Sequence, residues 1–187
     1  MASNRVRVLE AAVDLLGTGG LRALTHMRVD ERAGLPKGST SNYFRTRAAL
    51  VAGVSDWIVE QELASLNVAF APRSPEELVQ GMCGLLDVIT RDNRKLTTAR
   101  LVLFMEASHD ADLRALLQRG RGALVGGAAA ALTEMGASNP DAAAQSLAAT
   151  MEGLILHRIA RHDFSDPRPI LELVVAGIFR APAVPSP

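Results

Sequence analysis

Residues 37–43 read Lys-Gly-Ser-Thr-Ser-Asn-Tyr and carry hydrogen-bonding side chains at six of seven positions. Ammonium and amide groups recognise base edges in the major groove of DNA, whereas hydroxyl and guanidinium groups also bind phosphates. We therefore predict base contacts from Lys37 and Asn42, and phosphate contacts from Tyr43 and Arg47. The full set predicted to contact DNA is Thr25, Arg28, Lys37, Ser39, Ser41, Asn42, Tyr43 and Arg47.

The residues around this run predict a helix-turn-helix. Thr25 is a suitable cap for one short helix, Gly34 supplies a left-handed residue for the turn, and Pro36 is predicted to open the second helix. An earlier helix over residues 5–16 has apolar residues at helical spacing that can cover the hairpin. A polar helical hairpin of an ordinary helical protein gives a similar pattern, so the motif alone leaves that alternative open.

The charge of the chain is unevenly distributed. Its net charge is formally zero, but residues 1–47 hold eight Lys and Arg against four Asp and Glu, and the other 140 residues hold 12 against 16. A basic N-terminal region on an acidic remainder is typical of a DNA-binding domain joined to a domain with another role.

The N-terminal quarter of the chain resembles the DNA-binding domain of the TetR family of transcriptional regulators. The residues that carry this resemblance are Leu9, Ala11, Ala12, Leu16, Gly20, Thr25, Val29, Ala33-Gly34-Leu35, Gly38, Phe44, Arg47 and Leu50. The family usually has a tyrosine at the position of Ser41 as a phosphate and groove contact, whereas the tyrosine of this chain is Tyr43. The resemblance implies a homodimer that binds a double-stranded DNA operator and responds to a small-molecule effector.

The remaining sequence predicts an all-α fold of about nine helices. Capping residues and prolines recur, as in Ser74-Pro75-Glu76-Glu77 and Asn139-Pro140-Asp141, and alternating strand patterns are absent. We predict a three-helix DNA-binding domain over residues 1–46, a helical effector-binding and dimerisation domain over 47–180, and a disordered tail over 181–187.

Composition limits the compartment and the chemistry. Cys83 is the one cysteine, so no disulfide can form within the chain, and no apolar run has the length of a membrane span. We expect a cytoplasmic protein without a membrane partner.

Catalytic and metal-binding patterns are absent from the sequence. There is no nucleophile elbow, phosphate-binding loop or zinc-protease motif. His109, Asp110 and Asp112 lie where a helix should begin, and helix capping explains such a cluster more simply than metal ligation. We therefore expect no enzyme activity, no cofactor and no metal.

Apolar residues of the predicted second domain are candidates for an effector pocket. They are Trp57, Met82, Leu86, Phe104, Met105, Met151 and Ile155. Taken singly, each of them is more simply explained as a core residue, but the resemblance implies a ligand among these helices. The small number of charges favours an apolar or aromatic effector.

Two features of the later helices stay ambiguous at this level. Four glycines at 120, 122, 126 and 127 indicate either close helix packing or a bent, weakly ordered helix. The resemblance assigns dimerisation to helices near 140–163 and 167–180, with apolar faces Leu147, Met151, Leu154 and Ile170, Val174, Ile178 that equally suit a monomer core.

These observations predict a sequence-specific DNA-binding transcriptional regulator. It is expected to be a repressor that a small apolar or aromatic effector releases from its operator. The alternative is an all-helical interaction module or enzyme whose helix-turn-helix is only structural.

Overall fold

A computed structural model describes residues 3–67 and 72–180, and every regular element in these ranges is helical. The α-helices are α1 (Asn4–Gly19), α2 (His26–Ala33), α3 (Ser39–Tyr43), α4 (Arg47–Asn67), α5 (Pro75–Asp87), α6 (Arg94–Glu106), α7 (Ala111–Glu134), α8 (Pro140–Ala160) and α9 (Arg168–Phe179). A 3-10 turn, Leu21–Ala23, follows α1, and a π-helical segment, Val88–Asp92, follows α5. The prediction of an all-α fold is confirmed, while the predicted tail over 181–187 lies outside the described residues.

Several helices begin at the caps that the sequence predicts. The Ser74 hydroxyl accepts the N–H of Glu77 at 3.2 Å, and Pro75 is the first residue of α5. The Asn139 side chain accepts the N–H of Ala142 before α8, and the Asp110 carboxylate accepts the N–H of Leu113 at 2.9 Å before α7. Each cap satisfies a backbone donor that the first helical turn leaves without a partner.

The described residues form two compact units. Unit 1 contains residues 3–67 and 91–121, with α1 to α4, α6 and the first part of α7. Its core is apolar and is built on α1, which packs mainly against α6 and α2. The largest residues without exposed surface in this core are Val8, Leu9, Leu16, Leu24, Val29, Leu50, Val54, Ile58 and Leu103.

Close backbone packing holds α6 against α1. A Cβ atom at Gly17 would lie 2.6 Å from the carbonyl oxygen of Lys95, so only glycine permits this approach. The Asp14 carboxylate of α1 forms ion pairs with Lys95 of α6, at 2.5 Å, and with Arg32 of α2. The start of α6 is therefore fixed to the same helix that supports α2.

Unit 2 contains residues 72–90 and 122–180, with α5, the second part of α7, α8 and α9. Helix α5 packs against α9 and α8, and α8 packs against α9. The buried side chains of these helices include Leu78, Met82 and Leu86 of α5, Leu147, Met151 and Ile155 of α8, and Leu171 and Val175 of α9. The buried Arg158 of α8 pairs with Asp87 at 2.5 Å and donates to the Thr90 hydroxyl at 3.2 Å. No helix in the ranges 3–67 and 72–180 is both long and apolar enough to cross a membrane.

The glycines of α7 differ in their surroundings. A Cβ atom at Gly120 would lie 2.7 Å from Cγ2 of Val59 in α4, within unit 1. At Gly122, Gly126 and Gly127 no described atom outside the adjacent residues and the helix's own backbone lies within 4 Å of that position. Close packing thus accounts for Gly120 but not for the other three, and all four lie in an unbroken helix.

We expect Gly120→Ala and Gly122→Ala to change stability in opposite directions. The first adds a methyl group to a filled space and should cost about 1–3 kcal/mol of unfolding free energy. The second should stabilise the protein by roughly 0.5–1 kcal/mol, because alanine favours a helix over glycine. Urea unfolding followed by circular dichroism measures both, and a stabilising Gly120→Ala would show that α4 and α7 are farther apart there.

Candidate DNA-binding surface

Helix α2 is fixed at both ends. The Thr25 hydroxyl accepts the N–H of Arg28 at 3.4 Å, and Gly34 ends the helix with a left-handed φ of 62°. The Arg7 guanidinium of α1 donates to the carbonyls of Ala33 and Gly34 at 2.6 and 3.2 Å. The predicted cap and turn are confirmed, and Arg7, missed at the sequence level, fixes the turn to α1.

The second helix of the motif begins later than predicted. Pro36 starts a turn, in which its carbonyl accepts the N–H of Ser39 at 3.1 Å, and α3 begins only at Ser39. Gly38 precedes α3 with a left-handed φ of 92°, a conformation that glycine adopts easily. Lys37 therefore lies in the turn before α3 and not on the helix, which corrects the prediction.

The eight side chains predicted to contact DNA include five that are exposed in this motif. Ser41, Asn42 and Tyr43 are exposed on α3, Lys37 is exposed in the turn, and Arg28 is exposed on α2. Within the described chain, no hydrogen bond or ion pair occupies the side chains of Arg28, Lys37, Ser41, Asn42 and Tyr43. These groups are available for an external partner.

Three of the predicted DNA contacts also serve the fold. Thr25 caps α2, and the Ser39 hydroxyl donates to the Pro36 carbonyl at 2.6 Å. Arg47, the first residue of α4, donates to the Leu21 carbonyl at 3.1 Å. A substitution at Arg47 would therefore affect the attachment of α4 as well as any phosphate contact.

Asp30 is a buried acid at the centre of the motif, and the sequence analysis did not single it out. It is 3% exposed. One carboxylate oxygen accepts the N–H of Gly38 at 2.7 Å, and the other accepts the N–H and the hydroxyl of Thr40 at 2.7 and 2.5 Å. A residue of α2 thereby caps α3. The sequence does not reveal this role, because the capping side chain belongs to a different helix.

These bonds determine the acidity of Asp30. Burial raises the pKa of its carboxyl group. Hydrogen bonds from the Thr40 side chain and from the N–H groups of Thr40 and Gly38, together with the charge of His26, lower this pKa by a larger amount. The net result is a pKa below the usual value of 3.8. Because the folded state favours the ionised form, this contribution to stability is complete above pH 3.8 and is lost as the pH falls through the lower, folded-state pKa.

We expect Asp30→Asn to lower the free energy of unfolding by about 1–3 kcal/mol at neutral pH, because an amide nitrogen would face a backbone donor. The difference from the wild type should shrink as the pH falls below 3.8 and through the lower, folded-state pKa, since the wild-type carboxylate then protonates. Denaturant unfolding over this pH range gives the measurement. Glu31→Gln removes the same charge at an exposed neighbour and should stay within about 0.5 kcal/mol of the wild type; a pH-independent difference for Asp30→Asn would contradict the assigned bonds.

The candidate effector residues are divided between the two units. Trp57 and Phe104 are half-buried and pack against the core of unit 1, whereas Met105 is 72% exposed. Met82, Leu86, Met151 and Ile155 are buried in unit 2. The structure thus places six of the seven in or against a core, and the candidate effector set stays a prediction. Among the described residues, no three His, Cys, Asp or Glu side chains gather as metal ligands.

Comparison with known proteins gives a consistent result. The family model described as Tetracyclin repressor-like, C-terminal domain, matches residues 73–181, more than half of the chain. Among solved structures, a transcriptional regulator from Rhodococcus sp. Rha1 superposes with a TM-score of 0.82 at 21% identity, covering 96% of this chain and 100% of that one. No curated protein sequence matches.

Two further structures share the fold at similar coverage. A member of the TetR family from Streptomyces coelicolor A3 has a TM-score of 0.75 at 21% identity, covering 96% of this chain and 100% of its own. The multidrug binding protein EbrR, complexed with ethidium, has a TM-score of 0.75 at 20% identity with the same coverage. At these identities, the structural likeness establishes the fold alone.

Proposed function

This chain belongs to the TetR family of transcriptional regulators, and on that premise we propose that it is a sequence-specific DNA-binding repressor that a small molecule releases from its operator. The observation that carries the proposal is the helix-turn-helix, in which α3 and the preceding turn expose Lys37, Ser41, Asn42 and Tyr43. We assign DNA binding to residues 1–46 and effector binding and dimerisation to 47–180. Such a regulator works in the cytoplasm, where bacterial DNA is.

The proposed DNA contacts divide into two kinds. Lys37 and Asn42 contact base edges, because an ammonium and an amide can distinguish guanine and adenine in the major groove. Tyr43 and Arg47 contact phosphates, which fix the register without reading sequence. The proposed contact surface is completed by Thr25, Arg28, Ser39 and Ser41.

We expect Asn42→Ala and Tyr43→Ala to affect DNA binding differently. Asn42→Ala should reduce the difference in binding free energy between preferred and unrelated duplexes by about 1–3 kcal/mol, because a base contact is lost. Tyr43→Ala should weaken binding to all duplexes about equally and leave the salt dependence nearly unchanged, because tyrosine carries no charge. Duplexes selected by the wild type from a random-sequence pool supply the preferred site, and a scrambled duplex of equal length supplies the unrelated one.

The central test is whether the wild type binds DNA at all with a steep salt dependence. Affinity should fall linearly on a log–log plot against salt concentration, because binding releases counterions from the phosphates. A protein that selects no sequence from the pool and binds no duplex at low salt would support the alternative of a structural helix-turn-helix.

An exposed apolar face in unit 2 supports the proposed homodimer. Leu156 of α8 and Ile170 and Leu173 of α9 are exposed. Leu147 and Met151, for which the sequence left a dimer face and a monomer core equally open, are buried within the protomer and belong to its core. We therefore propose that the dimer forms through the opposite face of α8 and through Ile170 and Leu173 of α9, and brings two α3 helices about 34–36 Å apart.

The proposed effector is an apolar or aromatic molecule bound within residues 47–180. Support comes from EbrR, a structure of the same fold complexed with ethidium. The chain has one tryptophan, Trp57, so its emission reports on α4, which begins directly after the helix-turn-helix. Ethidium added to the protein without DNA should change this emission. Non-intercalating aromatic compounds that do the same should lower operator affinity, and by linkage DNA should weaken their binding by an equal factor.

A further inference from the structure

The proposed recognition helix is too short to hold its own position. Helix α3 has five residues, about one and a half turns, and isolated helices shorter than about 12 residues are marginal in water. Its side chains Ser41, Asn42 and Tyr43 are exposed, so core packing does not orient this face of the helix. The placement of α3 must therefore depend on contacts at its ends and along its buried side.

Asp30 fixes the beginning of α3. Its two carboxylate oxygens accept three hydrogen bonds, from the N–H of Gly38 and from the N–H and hydroxyl of Thr40. Thr40 has no exposed surface, so water does not compete for these bonds. A charged acceptor at a helix N-terminus forms stronger hydrogen bonds than a neutral one and also interacts favourably with the helix dipole.

His26 fixes the end of α3. Its Nε2 lies 2.6 Å from the carbonyl oxygen of Phe44, the residue that caps the helix. A carbonyl oxygen can only accept, so Nε2 carries the hydrogen in this contact. The Phe44 side chain is itself buried in the core of unit 1.

His26 and Asp30 are four residues apart on α2, so they lie on one face of that helix, one turn from each other. We propose that they form a two-point clamp that positions α3 from both ends and thereby sets the sequence preference of DNA binding. This inference rests on the proposed function. Both are positioning residues, since they act through the backbone of residues 38–44 and not through a contact with DNA.

The clamp predicts a specific defect. Base contacts require side chains of α3 to meet base edges at hydrogen-bond distance, and a small tilt of the helix breaks them. Binding to arbitrary DNA depends on charge, which tolerates such a tilt. Loosening the clamp should therefore lower the affinity for a preferred duplex much more than the affinity for an unrelated duplex.

The experiment compares full-length variants on two probes, a duplex selected by the wild type from a random-sequence pool and a scrambled duplex of equal length. Asp30→Asn should lower the ratio of the two affinities by about 10-fold or more. Glu31→Gln, with the same loss of charge beside the motif, should keep the ratio within about twofold of the wild type. An equal fall on both duplexes, or an unchanged ratio in a folded Asp30→Asn protein, would overturn the clamp.

Milder variants keep the test decisive if Asp30→Asn does not fold. Thr40→Val removes one hydroxyl donor at nearly constant volume and should lower the affinity ratio. Thr40→Ser keeps the donor and should leave the ratio near that of the wild type. His26→Ala should lower the ratio, and His26→Gln, which retains a side-chain N–H, should recover part of it. A ratio that follows side-chain volume instead of donor capacity would show that these residues only fill space.

Hydrogen exchange separates the clamp from the proposed function. In Asp30→Asn, the amides of Gly38 and Thr40 should exchange about 10-fold faster or more, while the amides of the α1 core keep wild-type rates. If the wild type binds no duplex preferentially, the proposed function fails, and exchange alone decides whether α2 holds α3. Unchanged exchange at Gly38 and Thr40 would overturn the clamp regardless of DNA binding.

Discussion

Leu173→Asp is expected to convert the proposed dimer into a monomer and to lower its affinity for a two-half-site duplex by about 100-fold or more. Leu173 is 76% exposed on α9, while Leu171 and Val175 on the other face of the helix are buried in unit 2. A charge at Leu173 should therefore leave the protomer folded but place an unpaired carboxylate in a dimer interface. Without the second subunit, binding at one half-site no longer raises the effective concentration at the other.

Light scattering at micromolar concentration and titration of the wild-type-selected duplex measure the two effects. Met105→Asp is the matched control, because Met105 is similarly exposed but lies on α6 in unit 1. That variant should remain dimeric. If Leu173→Asp stays dimeric with wild-type affinity, the subunits meet through another surface. If it becomes monomeric yet keeps full affinity, a single helix-turn-helix suffices for binding.

The helix borders were predictable because the signals that set them are local. Ser74 with Pro75 and Asn139 with Pro140 each combine a side-chain cap with a proline at the first helical position, and the structure begins α5 and α8 there. Gly136 has a left-handed φ of 85° just after α7 ends. Signals of this kind act over three or four residues, so they can be read from the local sequence without knowledge of the tertiary contacts.

The start of α3 could not be read in the same way. Pro36 is a good first residue for a helix, but the cap of α3 comes from Asp30, eight residues before Gly38 and on another helix. The pairing depends on how α2 and α3 fold against each other, and an acid on a polar helix ordinarily predicts a solvated side chain. The sequence therefore predicted the helix-turn-helix but not the residues that position it.

Helix faces were harder to predict than helices. The apolar side chains of α8 surround most of the helix, so spacing could not distinguish the face with Leu147 and Met151, which is buried in the protomer, from the exposed face with Leu156. The glycines of α7 pose the same difficulty, since only the position of Val59 shows that Gly120 is packed. Both questions concern contacts between distant segments, which local periodicity does not encode.

Gly53→Ala is expected to weaken both the fold and DNA binding, because Gly53 of α4 lies directly against the ring of Phe44. A Cβ atom at Gly53 would stand 2.2 Å from Cε1 of that ring. The ring is buried in the core of unit 1, so it cannot turn out of the way without loss of packing. We expect a loss of about 1–3 kcal/mol in unfolding free energy, reduced by up to about 1 kcal/mol because alanine favours the helix.

The same contact links α4 to the end of α3. Phe44 caps α3, and its carbonyl accepts from His26, so a displaced ring shifts the backbone that follows the proposed recognition residues. Gly53→Ala should therefore lower the affinity for the selected duplex by about 10-fold, beyond what the loss of folded protein explains. Any movement of α4 caused by an effector would reach α3 through this contact in the same manner.

A double-mutant cycle decides whether the steric contact is the cause. Phe44→Leu removes ring atoms and should be destabilising alone, by roughly 1–3 kcal/mol, but it should make room for the methyl group of Gly53→Ala. The double variant should then be more stable than the sum of the two single changes predicts, and should regain part of the DNA affinity. Gly84→Ala on α5 is the control, because no described atom outside the adjacent residues and the helix's own backbone lies within 4 Å of the added methyl group, and it should not lower the free energy of unfolding. Strict additivity of Gly53→Ala and Phe44→Leu would mean that Gly53 acts independently of Phe44 and that α4 communicates with α3 by another route.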